Sequence, residues 1–357
     1  MQALIKGNKK YDEVFASLPG LQGKVVAVTG TSTGLGLMVA ATAVSKGAAC
    51  VILTGRESQR ARDSTDMIKG LSASGTSAVK FVPCDLQSLE SVRKAASEIE
   101  AIAKQYSGLD VLCNNAGIMM FPDVRTGDGY DVQMQTNHLS HFLLTALLYP
   151  SLETAAAARG EARVVQVGSG MRNHKGGLQG KFLEKSEPDA LGGNSFNPTM
   201  TRYSMTKLAN AIFGVEMHYR LSKVSSKVKS ISCEPGLVRT ELGTNMYNAN
   251  KSNCFCWVSC IGCMMNSGCN IPKMMGQTLA DGSIALIVSC FGADTSSGDL
   301  LMPKDPLKGG GPIKPIAAGV EFIVERGEGK DEVLTMNKES QKILWDKSEA
   351  ATGIKFL

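Results

Sequence analysis

The stretch Thr29-Gly30-Thr31-Ser32-Thr33-Gly34-Leu35-Gly36 constrains the fold of this chain more than any other. Val25-Val26-Ala27-Val28 leads into it, and a run of Leu, Met, Val and Ala follows. A short β-branched run, a glycine turn and an apolar segment of helix length describe a strand that passes directly into a helix. In such a unit Gly30 allows the tight turn, Gly34 lets the backbone approach a bound group, and Gly36 lets helix and strand pack closely. The helix amino end, around Ser32, Thr33 and Leu35, offers unpaired N–H groups and a positive partial charge that suit the pyrophosphate of a dinucleotide. Glycine-rich turns also occur as plain connections, so this motif alone leaves both readings open.

The same rhythm continues along the chain. Val25 to Val28, Cys50 to Leu53, Val79 to Val82, Val111 to Cys113, Val164 to Val167 and Val228 to Ser232 are strand candidates. Helix-length segments lie between them near 35–46, 58–72, 87–106, 137–157 and 203–223. Strand and helix in alternation predict a parallel sheet with helices on both faces, a doubly wound α/β domain. Two segments break the pattern: 170–202 reads as a long surface insertion, and 243–275 reads as a lid or binding loop. The division expected is an N-terminal extension over 1–20, loosely attached, one catalytic domain over 21–302, and a connector and helix over 303–357. Within the last part, 303–317 holds four prolines and Gly309-Gly310-Gly311.

Composition excludes several classes of function. The chain has 357 residues, 43% of them hydrophobic, enough for one large core without disulfides or metal. Its net charge of +5 is spread along the sequence without a basic block, which argues against a nucleic-acid partner. No apolar run reaches the roughly 18 residues of a membrane span, and Met1-Gln2-Ala3-Leu4-Ile5-Lys6 lacks the long apolar core of a secretory signal. A soluble, intracellular protein is expected. The compartment stays open between cytoplasm and organelle, a plastid included. Of ten cysteines, Cys50, Cys84, Cys113, Cys233 and Cys290 sit in or beside apolar runs and read as small buried hydrophobes. Cys254, Cys256, Cys260, Cys263 and Cys269 lack the two separated ligand pairs of a structural zinc site, so no metal is expected. That segment reads as an apolar lid, with peripheral membrane contact through acylated cysteines at 254–269 as the alternative.

Three motifs together carry a family resemblance. Thr29 to Gly36, then Asn114-Asn115-Ala116-Gly117, then Tyr203-Ser204-Met205-Thr206-Lys207 resemble, in order and separation, the cofactor and catalytic motifs of the short-chain dehydrogenase/reductase family. The resemblance covers roughly residues 22–302 and implies a Rossmann-type fold. It implies that Gly30, Ser32, Thr33, Gly34, Leu35 and Gly36 hold the dinucleotide phosphates. Asp85 and Leu86, in Cys84-Asp85-Leu86, would meet the adenine, and Asn115, Ala116 and Gly117 would close over the adenosine side. In Glu234-Pro235-Gly236-Leu237-Val238-Arg239-Thr240, the residues Pro235, Gly236, Val238 and Thr240 would meet the nicotinamide end. Arg56 ends the second strand candidate, where an acidic residue would bind the 2′-hydroxyl of NAD; a guanidinium suits the 2′-phosphate, so NADP(H) is the cofactor expected.

Hydride transfer to a carbonyl needs a proton donor and a group that holds the oxygen. A free tyrosine, with a pKa of about 10, is a poor acid near neutrality, and a nearby ammonium is expected to lower that value. Tyr203 and Lys207, four apart in a helix-like segment, project from one face. The resemblance makes them catalytic and cofactor-binding, adds Ser169 as the hydroxyl that orients the substrate, and adds Asn137 as the residue that bends a helix and anchors a water to the lysine. His138 and His141 are expected to serve helix packing.

Ser169 and Tyr203 lie 34 positions apart, more than in short members of the family. This spacing, with Thr136 to Thr145, Lys207-Leu208-Ala209-Asn210, Pro235 to Leu242 and the terminal Leu344-Trp345-Asp346-Lys347-Ser348-Glu349, resembles retinol dehydrogenases and light-dependent protochlorophyllide reductases. The latter carry a cysteine after the Pro-Gly and usually a threonine at the serine position; here Leu237 and Ser169 stand there. Only Asn173 to Gly180 leans toward the pigment enzyme. The expectation is a reductase or dehydrogenase of a lipophilic, retinoid- or isoprenoid-like carbonyl or alcohol. Tetrapyrrole double-bond reduction is the alternative, and an NADPH-sensing protein without turnover is the non-enzyme alternative. Family members often pair through their helices, so a homodimer is plausible.

Overall fold

The structure is a computed structural model that describes residues 8–72, 75–172, 177–249, 276–303, 314–316 and 337–357. The cysteine-rich segment 254–269 lies outside them, and so does most of the connector. In chain order the elements are α1 (Lys9–Ser17), β1 (Val25–Thr29), α2 (Gly34–Ser45), β2 (Cys50–Gly55), α3 (Gln59–Lys69), β3 (Ala78–Pro83), α4 (Leu89–Lys104), β4 (Val111–Asn114), α5 (Ser140–Arg159), β5 (Ala162–Val167), α6 (Phe196–Lys223), β6 (Val228–Cys233), α7 (Leu242–Ala249), α8 (Leu279–Phe291), β7 (Leu300–Met302), β8 (Lys314–Ile316) and α9 (Lys338–Thr352).

The strands form one sheet in the order β3-β2-β1-β4-β5-β6-β7-β8. β1 to β7 run parallel, and β8 pairs antiparallel with β7 at the edge. Pro315 sits in that outer strand, where its missing N–H costs no ladder bond. The expected doubly wound architecture is therefore observed. Strand residues alternate between two cores: Val25, Ala27, Ile52, Leu112 and Val164 face α4, α5, α6 and α9, while Val26, Val28, Val51, Leu53, Val111, Cys113 and Val165 face α1, α2 and α8. Both faces are covered, which is why the central strands read as unbroken apolar runs. All six strand candidates fall within strands β1 to β6. Cys50, Cys84, Cys113, Cys233 and Cys290 are free and buried, as expected. No helix of the described residues is long and apolar enough to cross a membrane.

Three stretches differ from the sequence expectation. Residues 8–20 are docked rather than loose: Asn8 caps α1 by accepting from the Tyr11 N–H at 2.9 Å and donates to Asp281 at 3.0 Å. Tyr11 itself is buried, with its hydroxyl 2.7 Å from that of Thr42. Helix α6 begins at Phe196, inside the segment read as an insertion; Asn197-Pro198 looks like a loop, but a proline in the first turn of a helix gives up an N–H that has no partner there. The C-terminal helix belongs to the core. Trp345 packs against Phe142, Phe213 and Phe356, with ring centroids 5.2, 5.9 and 5.1 Å away, under the Arg220 guanidinium at 4.0 Å. Replacing Trp345 by alanine should cost about 3–5 kcal/mol in urea denaturation. An unchanged midpoint would mean that α9 rests on the domain without holding it.

Candidate active site

The strand order reverses between β1 and β4, so the crevice at their carboxyl ends is where a ligand of an open α/β sheet binds. The glycine turn lines it. Gly30 and Gly34 hold φ of +71° and +68°, which side-chain-bearing residues rarely adopt. A Cβ on Gly36 would come within 2.5 Å of both Gly30 O and Asn115 Nδ2, so this glycine serves helix packing and is not on the cavity wall. The first turn of α2 has no side-chain cap at Thr33, leaving its N–H groups directed at the crevice. Asn115 ties down the turn by donating to Thr29 O at 2.7 Å and Gly30 O at 3.2 Å.

A cavity of about 470 Å³ runs across the strand ends from β3 and β2 to β5 and β6. Arg56, Asp85 and Leu86 line its β2–β3 side, and Arg56 is exposed. Ser32, Thr33, Gly34, Leu35, Asn115, Ala116 and Gly117 line the middle. Ser169, Tyr203, Lys207, Pro235, Gly236, Val238 and Thr240 line the β5–β6 side. An elongated cavity with a glycine cradle, a helix amino end and a guanidinium fits a dinucleotide phosphate ester. Those residues would hold it.

Tyr203 and Lys207 lie on the buried face of α6, and Ser169 follows β5. The Ser169 hydroxyl, which accepts from Met171 N–H at 3.2 Å, is near enough to the Tyr203 phenol to favour its ionised form. Lys207 Nζ donates to Val167 O at 3.1 Å and stands 5.8 Å from the Tyr203 ring centroid. Burial pushes Tyr203 up to about 12, against the lowering from Ser169. Burial also pulls Lys207 down to about 8, with the neighbouring Cys233 opposing. The expected depression of the phenol by the ammonium is not what the protein's own groups produce: desolvation outweighs it, and the ammonium is engaged with a backbone carbonyl. Tyr203 is thus protonated at neutral pH.

Asn137 lies in a π-helical turn, Gln135–Leu139, ahead of α5. Its Oδ1 accepts from Ile118 N at 2.8 Å, while Nδ2 donates to Ile118 O and to Thr206 Oγ1, both at 2.9 Å. It binds the loop after β4 to α6 and does not line the cavity. A Cβ on Gly117 would lie 3.2 Å from Asn137 Oδ1 and 3.8 Å from Lys207 Nζ, so both groups flank this glycine. His138 and His141 do more than pack. His141 bridges Asn137 O and Thr29 Oγ1, each at 3.0 Å; His138 bridges Asn210 Oδ1 at 3.3 Å and Ser348 Oγ at 2.9 Å.

Sequence reading missed the residues that brace the walls. Thr29 is one. Gln277 is another, donating to Pro235 O at 2.7 Å and to Leu237 O at 2.8 Å. Met119, Met171 and Met200 also line the cavity, and nothing in their local sequence separates them from core methionines.

Comparison with known proteins agrees with this geometry. The sequence model of the short chain dehydrogenase family matches residues 24–180. A short-chain dehydrogenase/reductase of Armillaria gallica is 35% identical over 226 residues, covering 63% of this chain and 68% of that protein. Retinol dehydrogenase 14 of Homo sapiens is 35% identical over 243 residues, covering 64% and 66%. The match spans 64%, 57% and 63% of the length of three further relatives, the last being the polyprenol dehydrogenase of Mus musculus at 34% identity. An uncharacterized protein of Mycobacterium paratuberculosis superposes with a TM-score of 0.64 at 26% identity, covering 96% of this chain and 98% of that one. The chain belongs to the short-chain dehydrogenase/reductase family.

Two expectations follow. Gly36→Ala should weaken binding of a reduced nicotinamide dinucleotide, followed by its fluorescence, by about tenfold or more, because the two atoms in its way, Gly30 O and Asn115 Nδ2, are hydrogen-bonded to each other. Wild-type affinity would show that the turn yields. Burial pulls His138 down to about 3, whereas the unfolded residue titrates near 6.5, so between those values the unfolded chain binds a proton that the folded one refuses. Stability should fall as pH falls through that window, and His138→Gln should flatten the slope by about 1.4 kcal/mol per pH unit in urea melts. An unaltered slope would mean that the folded ring takes up the proton.

Proposed function

We propose that this protein is an NADP(H)-dependent reductase that transfers a hydride to the carbonyl carbon of a lipophilic substrate. The observation that carries this reading is the meeting of the Tyr203, Ser169 and Lys207 side chains at one side of a cavity whose other side is lined by Arg56. The reduced nicotinamide supplies the hydride. Tyr203, kept protonated by burial, donates its proton to the developing alkoxide oxygen, and Ser169 holds that oxygen by a hydrogen bond. Lys207 grips the ribose, and its ammonium stabilises the phenolate left behind. Asn137 fixes the strand-end loop against α6, which keeps Gly117 and Lys207 in place. Arg56 takes the 2′-phosphate.

Met119, Met171, Met200, Leu237 and Leu242 give the wall near Tyr203 its apolar character. That wall favours a retinoid- or isoprenoid-like substrate, in keeping with relatives named for retinol and polyprenol. NADPH oxidation in the dark against retinal, a medium-chain aldehyde and a steroid ketone tests the reading. Turnover should drop by at least about 100-fold in Tyr203→Phe. The rate of reduction should decline as pH rises through about 8, where Lys207 gives up its charge. Arg56→Asp should move the preference from NADPH toward NADH. Turnover of protochlorophyllide only under illumination, or tight NADPH binding without turnover of any carbonyl, would overturn it.

A further inference from the structure

Arg172 and Glu234 form an ion pair, Nη1 to Oε1, with 1% and 3% of their side chains exposed. They come from the two turns that flank the catalytic side of the cavity. Arg172 closes the short 3₁₀ turn Gly170–Arg172, and both its N–H, at 3.0 Å, and its Nη1, at 3.4 Å, donate to Ser169 O. Glu234 follows β6, where its N–H donates to Leu301 O at 2.9 Å, and it immediately precedes Pro235-Gly236. Its side chain lies beneath the Ser169 turn: a Cβ on Gly168 would meet Glu234 Cγ at 3.5 Å, and one on Gly170 would meet Oε2 at 4.0 Å.

Burying two charges is costly, and an apolar pair of the same volume stabilises a core as well or better. Charge complementarity here offers a fixed separation instead. We propose that Arg172 and Glu234 are positioning residues, a strut that sets the distance between Ser169 and the Pro235-Gly236 turn and thereby seats the nicotinamide end of the dinucleotide. The identity of that ligand rests on the function proposed above. Neither residue touches the reacting atoms; each acts through a turn.

The test compares affinity for NADPH with affinity for adenosine 2′,5′-bisphosphate, which carries the adenosine and 2′-phosphate but no nicotinamide. The proteins are wild type, Glu234→Gln, Glu234→Asp and the double variant Arg172→Met with Glu234→Leu. Breaking one partner should lower Tm, whereas the apolar double variant should melt near wild type. Glu234→Gln and the double variant should bind NADPH about tenfold more weakly, while the bisphosphate changes by less than about twofold. Glu234→Asp keeps the charge on a shorter stem, so it should fold normally and lose NADPH affinity in part. Such ligand selectivity is not produced by a purely structural role.

Equal loss of both ligands in Glu234→Asp and Glu234→Gln, or NADPH affinity unchanged in every variant, would overturn the strut. Wild type that binds NADPH yet reduces no carbonyl would refute the proposed function and leave this comparison decisive. Wild type that binds neither ligand would overturn both.

Discussion

One hydroxyl joins the parts on which this site depends. Thr29 Oγ1 accepts the N–H groups of Asn115 and Ala116, each at 2.9 Å, and lies 3.0 Å from His141 Nε2. A hydroxyl has one proton and two lone pairs; with both lone pairs taken its proton is left for His141 Nε2, the nearer acceptor, with Cys113 O farther off at 3.4 Å. His141 then carries its own proton on Nδ1 and donates it to Asn137 O. The ring has to be neutral for this, and burial keeps it so by pulling its pKa down to about 4. The end of β1, the turn after β4 and the π-helical turn of Asn137 are thereby fixed relative to one another by a single chain of hydrogen bonds. Glycine turn and catalytic helix inherit their spacing from it.

Burial, more than charge pairing, sets the electrostatics of Tyr203 and Lys207. It raises Tyr203 and lowers Lys207, favouring the neutral form of each. A protonated phenol beside a lysine that still holds its charge at neutral pH is arranged to give a proton away, as the proposed reduction requires. Near this pair, the buried charges of Arg172 and Arg202 are met by carboxylates. Arg202, fully buried and next to Tyr203 in sequence, reaches Asp131 at 3.2 Å and Asp123 at 3.6 Å, so the first turns of α6 are fixed from behind.

What could be read from sequence was local. Strand, glycine turn and helix are adjacent in the chain, and Tyr203 and Lys207 share a helix face, so their periodicity shows directly. The supports are not local. Thr29 meets Asn115 and Ala116 across 86 and 87 positions and His141 across 112. Arg172 and Glu234 are paired only after β5 and β6 lie side by side. His138 looked like packing because its partner Ser348 is 210 positions away on the last helix. Local composition misled at both ends of the chain: Asn8 reads as tail until Asp281 is beside it, and Pro198 reads as loop until it is seen to open a helix.

The two halves of the cavity are built on different physical terms. On the dinucleotide side, several unusual backbone features are held by polar partners. Gly30 at φ +71° is held by Asn115, the π-helical turn by Ile118, Thr206 and His141, and the Pro235-Gly236 turn by Gln277. On the proposed substrate side the wall is apolar and rich in methionine. Met120 and Met246 are buried together, with Met119, Phe196 and Met200 against them. Unbranched thioethers rearrange at little cost, whereas hydrogen-bonded turns do not. Hydride transfer needs one reacting partner placed to within a fraction of an ångström, but an apolar chain can be accommodated in more than one way. For the proposed reaction, a rigid cofactor half facing a compliant substrate half would meet both needs, and it would locate discrimination among substrates in the shape of the methionine-rich wall, while Tyr203, Ser169 and Lys207 would supply chemistry common to any carbonyl that reaches them.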